Sequence, residues 1–424
     1  MRSLYDQART FGPLWRAWTK IRSNGRKSLS SQTRKDIRTF DEEAVTRLSK
    51  TSRELKSGVF QFDPSIGWAM ERKGKSKRPV VISTINNRVV QRSILDVLQK
   101  IPEVRAYIDH DGSWGGIEGK GVGPAIDRVY RAIKGGGAWF LKSDVANFFT
   151  DIPRDFTVKR LNSMYGDERF KELVRAATIT ELSNMAELAE DANLFPIHER
   201  GVAQGCCLSP LLSNLLLRDF DNAIASSDVV CVRYIDDFII VGPTQKAVQK
   251  AFQRGLRQLE IHNLTAYQPG DGSGKASIGK TEVGFDFLGA HIQPGFIRPS
   301  RQSRANLIDK VEKAMNESFG LFKRPSEIRK RRASYIETLG TVDRIYRGWV
   351  GQYPYTNAHQ FMAAIDDEVE SLVDTYSRRF QRISEPYDRL DRMRLLGVWR
   401  AADSKFDPII SQPKAPHEEN RNEL

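Results

Sequence analysis

A chain of 424 residues that is 40% hydrophobic and 28% charged has room for two or three domains with their own cores and is too apolar to be a disordered polymer. Its formal net charge of +13 favours a polyanionic partner. Cys206, Cys207 and Cys231 form no CxxC pair and no His/Cys cluster, which argues against a structural zinc site and for a reducing compartment. No run of about 18 apolar residues is present to span a membrane, and the first residues, MRSLYDQARTF, lack the apolar core of a signal peptide.

Residues 1–40 are strongly basic, and Leu4, Phe11, Leu14, Trp15 and Trp18 recur at helical spacing. This pattern predicts a helix that packs by its aromatics and presents a basic face, including Arg16 and Lys20. A second helix is expected over 41–58. Phe60–Met70 reads as short strand and loop, and 71–84 as a Gly/Lys/Arg turn entering an alternating strand. Helices are expected over 86–100 and from about Gly123 to Ile133, separated by the glycine-rich segment SWGGIEGKGVG. Gly135–Gly137 breaks the chain before a strand over 138–145. Helices follow at 153–165 and 168–191. Gln204–Ala223 begins as a turn and becomes helical. VVCVRYIDDFIIVG (229–242) reads as two apolar strands around a tight turn. A helix over 246–261, a loop over 270–280 and a strand pair over 283–292 complete the centre. From Arg301 to about residue 403 the pattern is helical, and the polar end after Gln412 reads as disordered.

The strongest chemical signal is Tyr234-Ile235-Asp236-Asp237 between two apolar runs. Two adjacent acids at a hairpin turn are costly to bury unless a cation neutralises them, and magnesium prefers oxygen ligands shared between carboxylates and substrate phosphates. Asp144 ends the apolar strand Ala138–Leu141 and precedes Phe148 and Phe149. Alone it reads equally well as a helix N-cap. Paired with Asp236, it could clamp two metal ions for phosphoryl transfer. The third element, GVAQGCCLSP (201–210), is a turn of small residues into which Gln204 projects a hydrogen-bonding amide.

The order strand-Asp-x-x-x-Phe-Phe, Gln-Gly-x-x-Leu-Ser-Pro, Tyr-x-Asp-Asp, then Lys and Phe-Leu-Gly, resembles the motif series of reverse transcriptases. The bacterial branch that includes group II intron and retron enzymes is the most similar. The resemblance runs from about residue 60 to 295. It implies an α+β right-hand polymerase: a basic helical N-terminal extension (1–58), fingers (59–135, continued by 153–200), a palm with an antiparallel sheet (136–295), an α-helical thumb (296–405) and a disordered tail (406–424). It further implies that Asp144, Asp236 and Asp237 are the catalytic acids. They would hold two Mg2+ ions, with Mn2+ as an alternative, and the Val145 carbonyl would complete the metal shell. Phe148 would be the gate that rejects a ribose 2′-hydroxyl, with Phe149 a core aromatic. Gln204 would sit near the incoming dNTP. Arg78 would grip the triphosphate with Lys73 or Lys77 beside it. Lys280, with Lys275 competing, would lie near the leaving pyrophosphate, and Phe287-Leu288-Gly289 resembles a primer grip. Lys120, in a glycine loop that has Gly119-Lys120-Gly121 in place of the usual Gly-Arg-Ser, would contact the nucleic acid, as would Arg16 and Lys20. Arg329, Lys330, Arg331 and Arg332 would give the thumb a basic face for the duplex backbone.

No zinc-binding nuclease segment is seen after the thumb, so the chain resembles free-standing bacterial enzymes: retron enzymes and, by its YIDD form and helical ends, antiphage defence enzymes of the unknown group. The resemblance implies a cytoplasmic enzyme with a structured non-coding RNA as template, a DNA primer and product, no membrane, and no evident protein partner. The competing readings are an intron maturase with incidental polymerase activity, an untemplated or protein-primed polymerase, and an inactive binding module. The intact acid triad speaks against the last.

Overall fold

A computed structural model describes residues 2–28, 30–72, 75–197, 199–324, 328 and 333–398. The chain divides into two compact units, residues 1–300 with 353–357 and residues 301–352 with those after 358. In the first unit the basic N-terminus folds as three helices where one was expected, α1 (Leu4–Arg9), α2 (Phe11–Arg26) and α3 (Ser31–Glu42), and α4 (Ala44–Ser57) lies where the second helix was expected. Ser3 and Ser30 cap α1 and α3 with their side chains, which satisfies otherwise orphaned amides. Leu14 and Trp18 of α2 are fully buried. They share one core with Val89, Ile94 and Leu98 of α5 (Ile85–Leu98), so the N-terminal helices are part of this unit's core and not an appendage. Each such side chain contributes about 1.5–3 kcal/mol by burial.

Strands β1 (Ile66–Arg72) and β2 (Lys75–Ile82) form a two-stranded antiparallel ribbon. After α5 come α6 (Pro102–Ile108) and α7 (Val122–Lys134), then β3 (Trp139–Asp144). The short α8 (Phe148–Asp151), α9 (Arg154–Asn162) and α10 (Glu168–Thr178) follow. The helix expected over 168–191 stops at Thr178 because the chain turns away to pair with the start of β1. The Ser65 amide donates to the Glu181 carbonyl (2.8 Å) and the Ser183 amide to the Ser65 carbonyl (2.9 Å). Only a single turn, α11 (Met185–Leu188), remains helical before a 3₁₀ segment over Ala189–Leu194.

The expected helix within 204–223 is two, α12 (Ser209–Leu216) and α13 (Arg218–Ile224). Next come β4 (Val230–Tyr234), β5 (Asp237–Gly242), α14 (Gln245–Glu260) and β6 (Ser277–Lys280), the last lying where a loop was expected. The four strands form an antiparallel sheet in the order β4-β5-β3-β6. Alternate residues explain why its strands read as continuous apolar runs. Phe140, Val232, Ile239 and Val241 face α7, and Leu141, Phe238 and Ile240 join the core that includes Phe220 and Phe252 of α13 and α14. A three-stranded antiparallel sheet, β7 (Phe285–Phe287), β8 (Ala290–Gln293) and β9 (Phe296–Pro299), covers the α7 side; the sequence suggested only its first two strands.

In the second unit, helices Arg301–Phe322, Tyr335–Val350 and His359–Ser384 pack through Phe319, Phe322, Tyr335, Tyr376 and Phe380, and Arg389–Leu396 packs against Tyr335–Val350. A Ser334 capping box starts Tyr335–Val350. The antiparallel sheets with segregated helices are the α+β right-hand polymerase class expected from the resemblance. Residues 399–424, and with them the expected tail, lie outside the described residues. No described helix is long and apolar enough to cross a membrane.

Candidate active site

The β3–β5 register sets Asp144 directly opposite Asp237. By the two-residue period both stand on the sheet face shared by Phe140 and Ile239. Residues opposed in this way have Cβ atoms about 5 Å apart, and like charges there repel. Ile235 and Asp236 form the two-residue β4–β5 turn. The Val145 amide donates to the Asp236 carbonyl (3.1 Å), which ties the turn to the end of β3.

A cavity of about 580 Å³ opens here. Asp144, Val145, Asp236, Phe148, Phe149 and Gln204 line it together with Lys77, Arg78 and Lys275. Burial pushes the Asp236 carboxyl up; backbone hydrogen bonds and the charges of Arg78 and Lys275 oppose this without overcoming it. A divalent cation would remove that penalty and the Asp144–Asp237 repulsion together, so the residues fit one. Among the described residues no three His, Cys, Asp or Glu side chains gather into a group that could hold a metal ion by themselves.

The cations divide. Arg78 faces the cavity from β2. Lys77 also lines it but is engaged by Asp191 (2.8 Å) and Glu71 (3.3 Å), whose hydrogen bonds push its ammonium up. Lys73 lies outside the described residues. Lys275 lines the cavity, with its ammonium 2.7 Å from the Tyr267 hydroxyl. Lys280 does not. It stands opposite Trp139 at the far end of β3, five residues or about 17 Å from Asp144, beside Glu282. Of the two lysines considered for the pyrophosphate, Lys275, the alternative in the resemblance, lines this cavity and Lys280 does not.

Phe148 and Phe149 both line the cavity; Phe148 is 2% exposed and belongs to the core, whereas Phe149 is only partly buried and packs against that core. Asn147, at φ +47°, makes the strand-to-helix turn that sets this phase. Gln204 is fixed through its backbone: its carbonyl accepts from the Val81 amide (2.8 Å). The adjacent Gly205, at φ +125°, lies so close that a Cβ would sit 2.5 Å from the Val81 carbonyl oxygen.

Lys120 is turned toward its own loop. Its ammonium holds Asp109 (2.8 Å) and donates to the His110 and Ser113 carbonyls (2.8 and 3.0 Å). Arg16 and Lys20 line a separate groove with Arg2, Arg9 and Lys100, where Lys20 pairs with Asp96 at 3.1 Å. Arg329, Lys330, Arg331 and Arg332 lie outside the described residues.

Sequence reading passed over the ion pair beneath the turn. Arg233 is 0% and Asp221 1% exposed; Arg233 Nε and Nη2 donate to the Asp221 carboxylate at 2.7 and 2.5 Å. Leaving either charge buried alone would cost about 3–5 kcal/mol. The available signal was an arginine inside an otherwise apolar strand, VVCVRY.

A family model for reverse transcriptase (RNA-dependent DNA polymerase) matches residues 70–291, which is 222 of 424 residues. A protein in the cob intron of Schizosaccharomyces pombe is 28% identical over 44% of this chain and 22% of its own length. Protein YkfC of Escherichia coli is 25% identical over 62% of this chain and 75% of its own. The group II intron-encoded protein LtrA of Lactococcus lactis is 25% identical over 44% of this chain and 29% of its own. The chain thus spans less than a third of two of these three relatives. With the family match extending over half its length and across every residue that lines the cavity, the chain belongs to the reverse transcriptase (RNA-dependent DNA polymerase) family.

Proposed function

We propose that the protein is an RNA-directed DNA polymerase that extends a DNA primer with dNTPs on a structured RNA template. The observation that carries this reading is the single cavity in which Asp144 and Asp236 face Arg78 and Lys275. In the reaction the primer 3′-hydroxyl oxygen bonds to the α-phosphorus of the dNTP, the α–β bridging P–O bond breaks, and pyrophosphate leaves with the electron pair. Asp144, Asp236 and Asp237, with the Val145 carbonyl, would hold two divalent ions, which when bound lower the hydroxyl pKa and offset charge on the leaving group. Arg78 binds the triphosphate with a guanidinium fork suited to phosphate oxygens. Lys275 neutralises charge near the pyrophosphate. The partly exposed ring of Phe149, in preference to the more buried Phe148 beside it, lies against the sugar, and Gln204 stands beside the base. The helical second unit serves as the thumb, and Arg16 and Lys20 contact RNA phosphates.

We further propose a bacterial cytoplasmic role in antiphage defence with a dedicated non-coding RNA. The test is to purify the protein from its native host and sequence the nucleic acids that accompany it, in parallel with Asp236→Ala/Asp237→Ala. One discrete RNA, with complementary DNA only in the wild type, is expected. Heterogeneous RNA with no complementary DNA would overturn the templated reading.

A further inference from the structure

We propose that Arg233 is a positioning residue for the acid-bearing turn, acting through the Ile235 carbonyl; this rests on the metal-dependent polymerase reading above. A guanidinium has five N–H donors, and Arg233 uses all of them. Nε and Nη2 hold Asp221 of α13. Nη1 donates to the Ile235 carbonyl (2.8 Å) and to Asn214 Oδ1 of α12 (3.1 Å), and Nη2 also donates to Ser113 Oγ (2.9 Å). The backbone repeats the connection: the Arg233 amide donates to the Gly112 carbonyl (2.7 Å) and the Trp114 amide to the Arg233 carbonyl (2.8 Å). Asn214 Nδ2 closes the circuit on the Gly115 carbonyl (2.8 Å). One buried side chain thereby joins the 112–116 loop, helices α12 and α13, and the turn that carries Asp236.

The turn needs such a hold. Ile235 sits at φ +64°, a left-handed conformation that a β-branched residue adopts only when its surroundings impose it. The two peptides that flank Ile235 are each held. Arg233 takes the carbonyl of the 235–236 peptide, and Gly115 lies against the amide of the 234–235 peptide so closely that a Cβ there would be 2.7 Å from Ile235 N. If either peptide rotates, Asp236, the next residue, moves with it. An ion pair that merely fastened α13 to β4 would need only the Asp221 contacts. The Nη1–Ile235 bond and the glycine seat are what direct the carboxylates.

Two variants separate these roles. Arg233→Lys keeps a charge for Asp221 but cannot supply the fork. Gly115→Ala leaves the ion pair untouched and presses on the Ile235 amide. Each full-length protein is compared with the wild type by thermal melting, Mn2+ binding by calorimetry, and single-nucleotide primer extension, with Asp236→Ala/Asp237→Ala as the reference for lost ion binding. Both variants are expected to fold, to bind Mn2+ roughly 10-fold more weakly and to lose roughly 10- to 100-fold in kcat, the range for groups that orient metal ligands. Template–primer affinity and the dNTP KM should stay within about twofold. Unchanged Mn2+ affinity and kcat in Gly115→Ala would overturn the proposal, and they would do so even if Arg233→Lys failed to fold. A wild type that binds Mn2+ through these acids but extends no primer would instead overturn the polymerase reading, leaving Mn2+ affinity in the variants to decide the positioning role.

Discussion

Around the β4–β5 turn, every donor of a fully buried arginine is committed, two glycines are seated against neighbouring backbone and proline, and the strands continue into a sheet buried on both faces. The β1–β2 ribbon, which brings Arg78 to the same cavity, is held at separate points, one of them the Lys77–Asp191 ion pair (2.8 Å). Asn184 exchanges two hydrogen bonds with the Gly67 backbone (2.8 and 2.9 Å), and the Gln204 carbonyl holds the Val81 amide. The ribbon has two strands, with Ile66, Trp68 and Ile82 exposed on it, and its register shifts between Met70 and Arg72. Two strands alone are marginally stable in water. Acids that must share cations need fixed spacing, because their repulsion grows steeply as they approach. A guanidinium that follows a triphosphate through binding and release gains from an arm that is less constrained.

The contrast can be broken most severely at the acids. Asp236→Ala/Asp237→Ala should lower primer extension by roughly 10³-fold or more, the scale on which charge stabilisers act in phosphoryl transfer, while leaving the melting temperature and RNA affinity nearly unchanged. Retained synthesis would remove the carboxylates from the chemistry. On the ribbon, Arg78→Ala should cost about 10- to 100-fold in kcat/KM for dNTP, since a hydrogen bond to a charged group is worth about 1.5–3 kcal/mol. The loss should fall mainly on KM, and steady-state kinetics with varied dNTP would check it.

The aromatic pair sharpens the comparison between a fixed and an accessible group. Phe149→Ala should admit ribonucleotides, relaxing discrimination by about tenfold to a hundredfold. Phe148→Ala should instead destabilise the fold by about 3–5 kcal/mol and leave sugar preference unchanged. Competition between dNTP and rNTP, read beside denaturant melts, distinguishes the two; the reverse result would restore the gate to Phe148. Among the lysines, Lys275→Ala should slow extension by about tenfold, a single charge-assisted contact. Lys280→Ala, opposite Trp139, should change it by less than twofold.

These residues also show how far the sequence could be read. Asp144 and the YIDD turn were legible because strand periodicity and turn position follow from local pattern alone. The assignment between Phe148 and Phe149 was not, because Asn147 takes a left-handed conformation and resets the phase at which the following helix enters the core. Lys280 was misplaced because Ser277–Lys280 was read as loop; its pairing with β3 carries the lysine away from the acids, and that pairing depends on residues more than 130 positions earlier. The helix over 168–191 was overextended for a similar reason: Ser65 captures the chain at Glu181 and Ser183, and no periodicity within the segment records this. Arg233 was visible as a charge in an apolar strand, but its partner Asp221 and its reach to Ile235 appear only once α13 is folded against β4.

The smallest expected effect concerns the loop on the fixed side. Lys120, read from sequence as a template contact, is turned toward its own loop, and its hydrogen bond holds the Asp109 carboxyl below the ordinary carboxylate range. A depressed folded-state pKa contributes stability above the unfolded value, about 3.9 for aspartate, and that contribution is lost as pH falls through the depressed one. Lys120→Met should therefore lower the melting temperature slightly at neutral pH, and the gap from wild type should close as the pH is taken below about 3.9. Template affinity should stay within twofold throughout. A clear loss of template binding at unchanged stability would return Lys120 to the nucleic-acid surface, and it would mean that the loop beside the acid-bearing turn opens when substrate arrives.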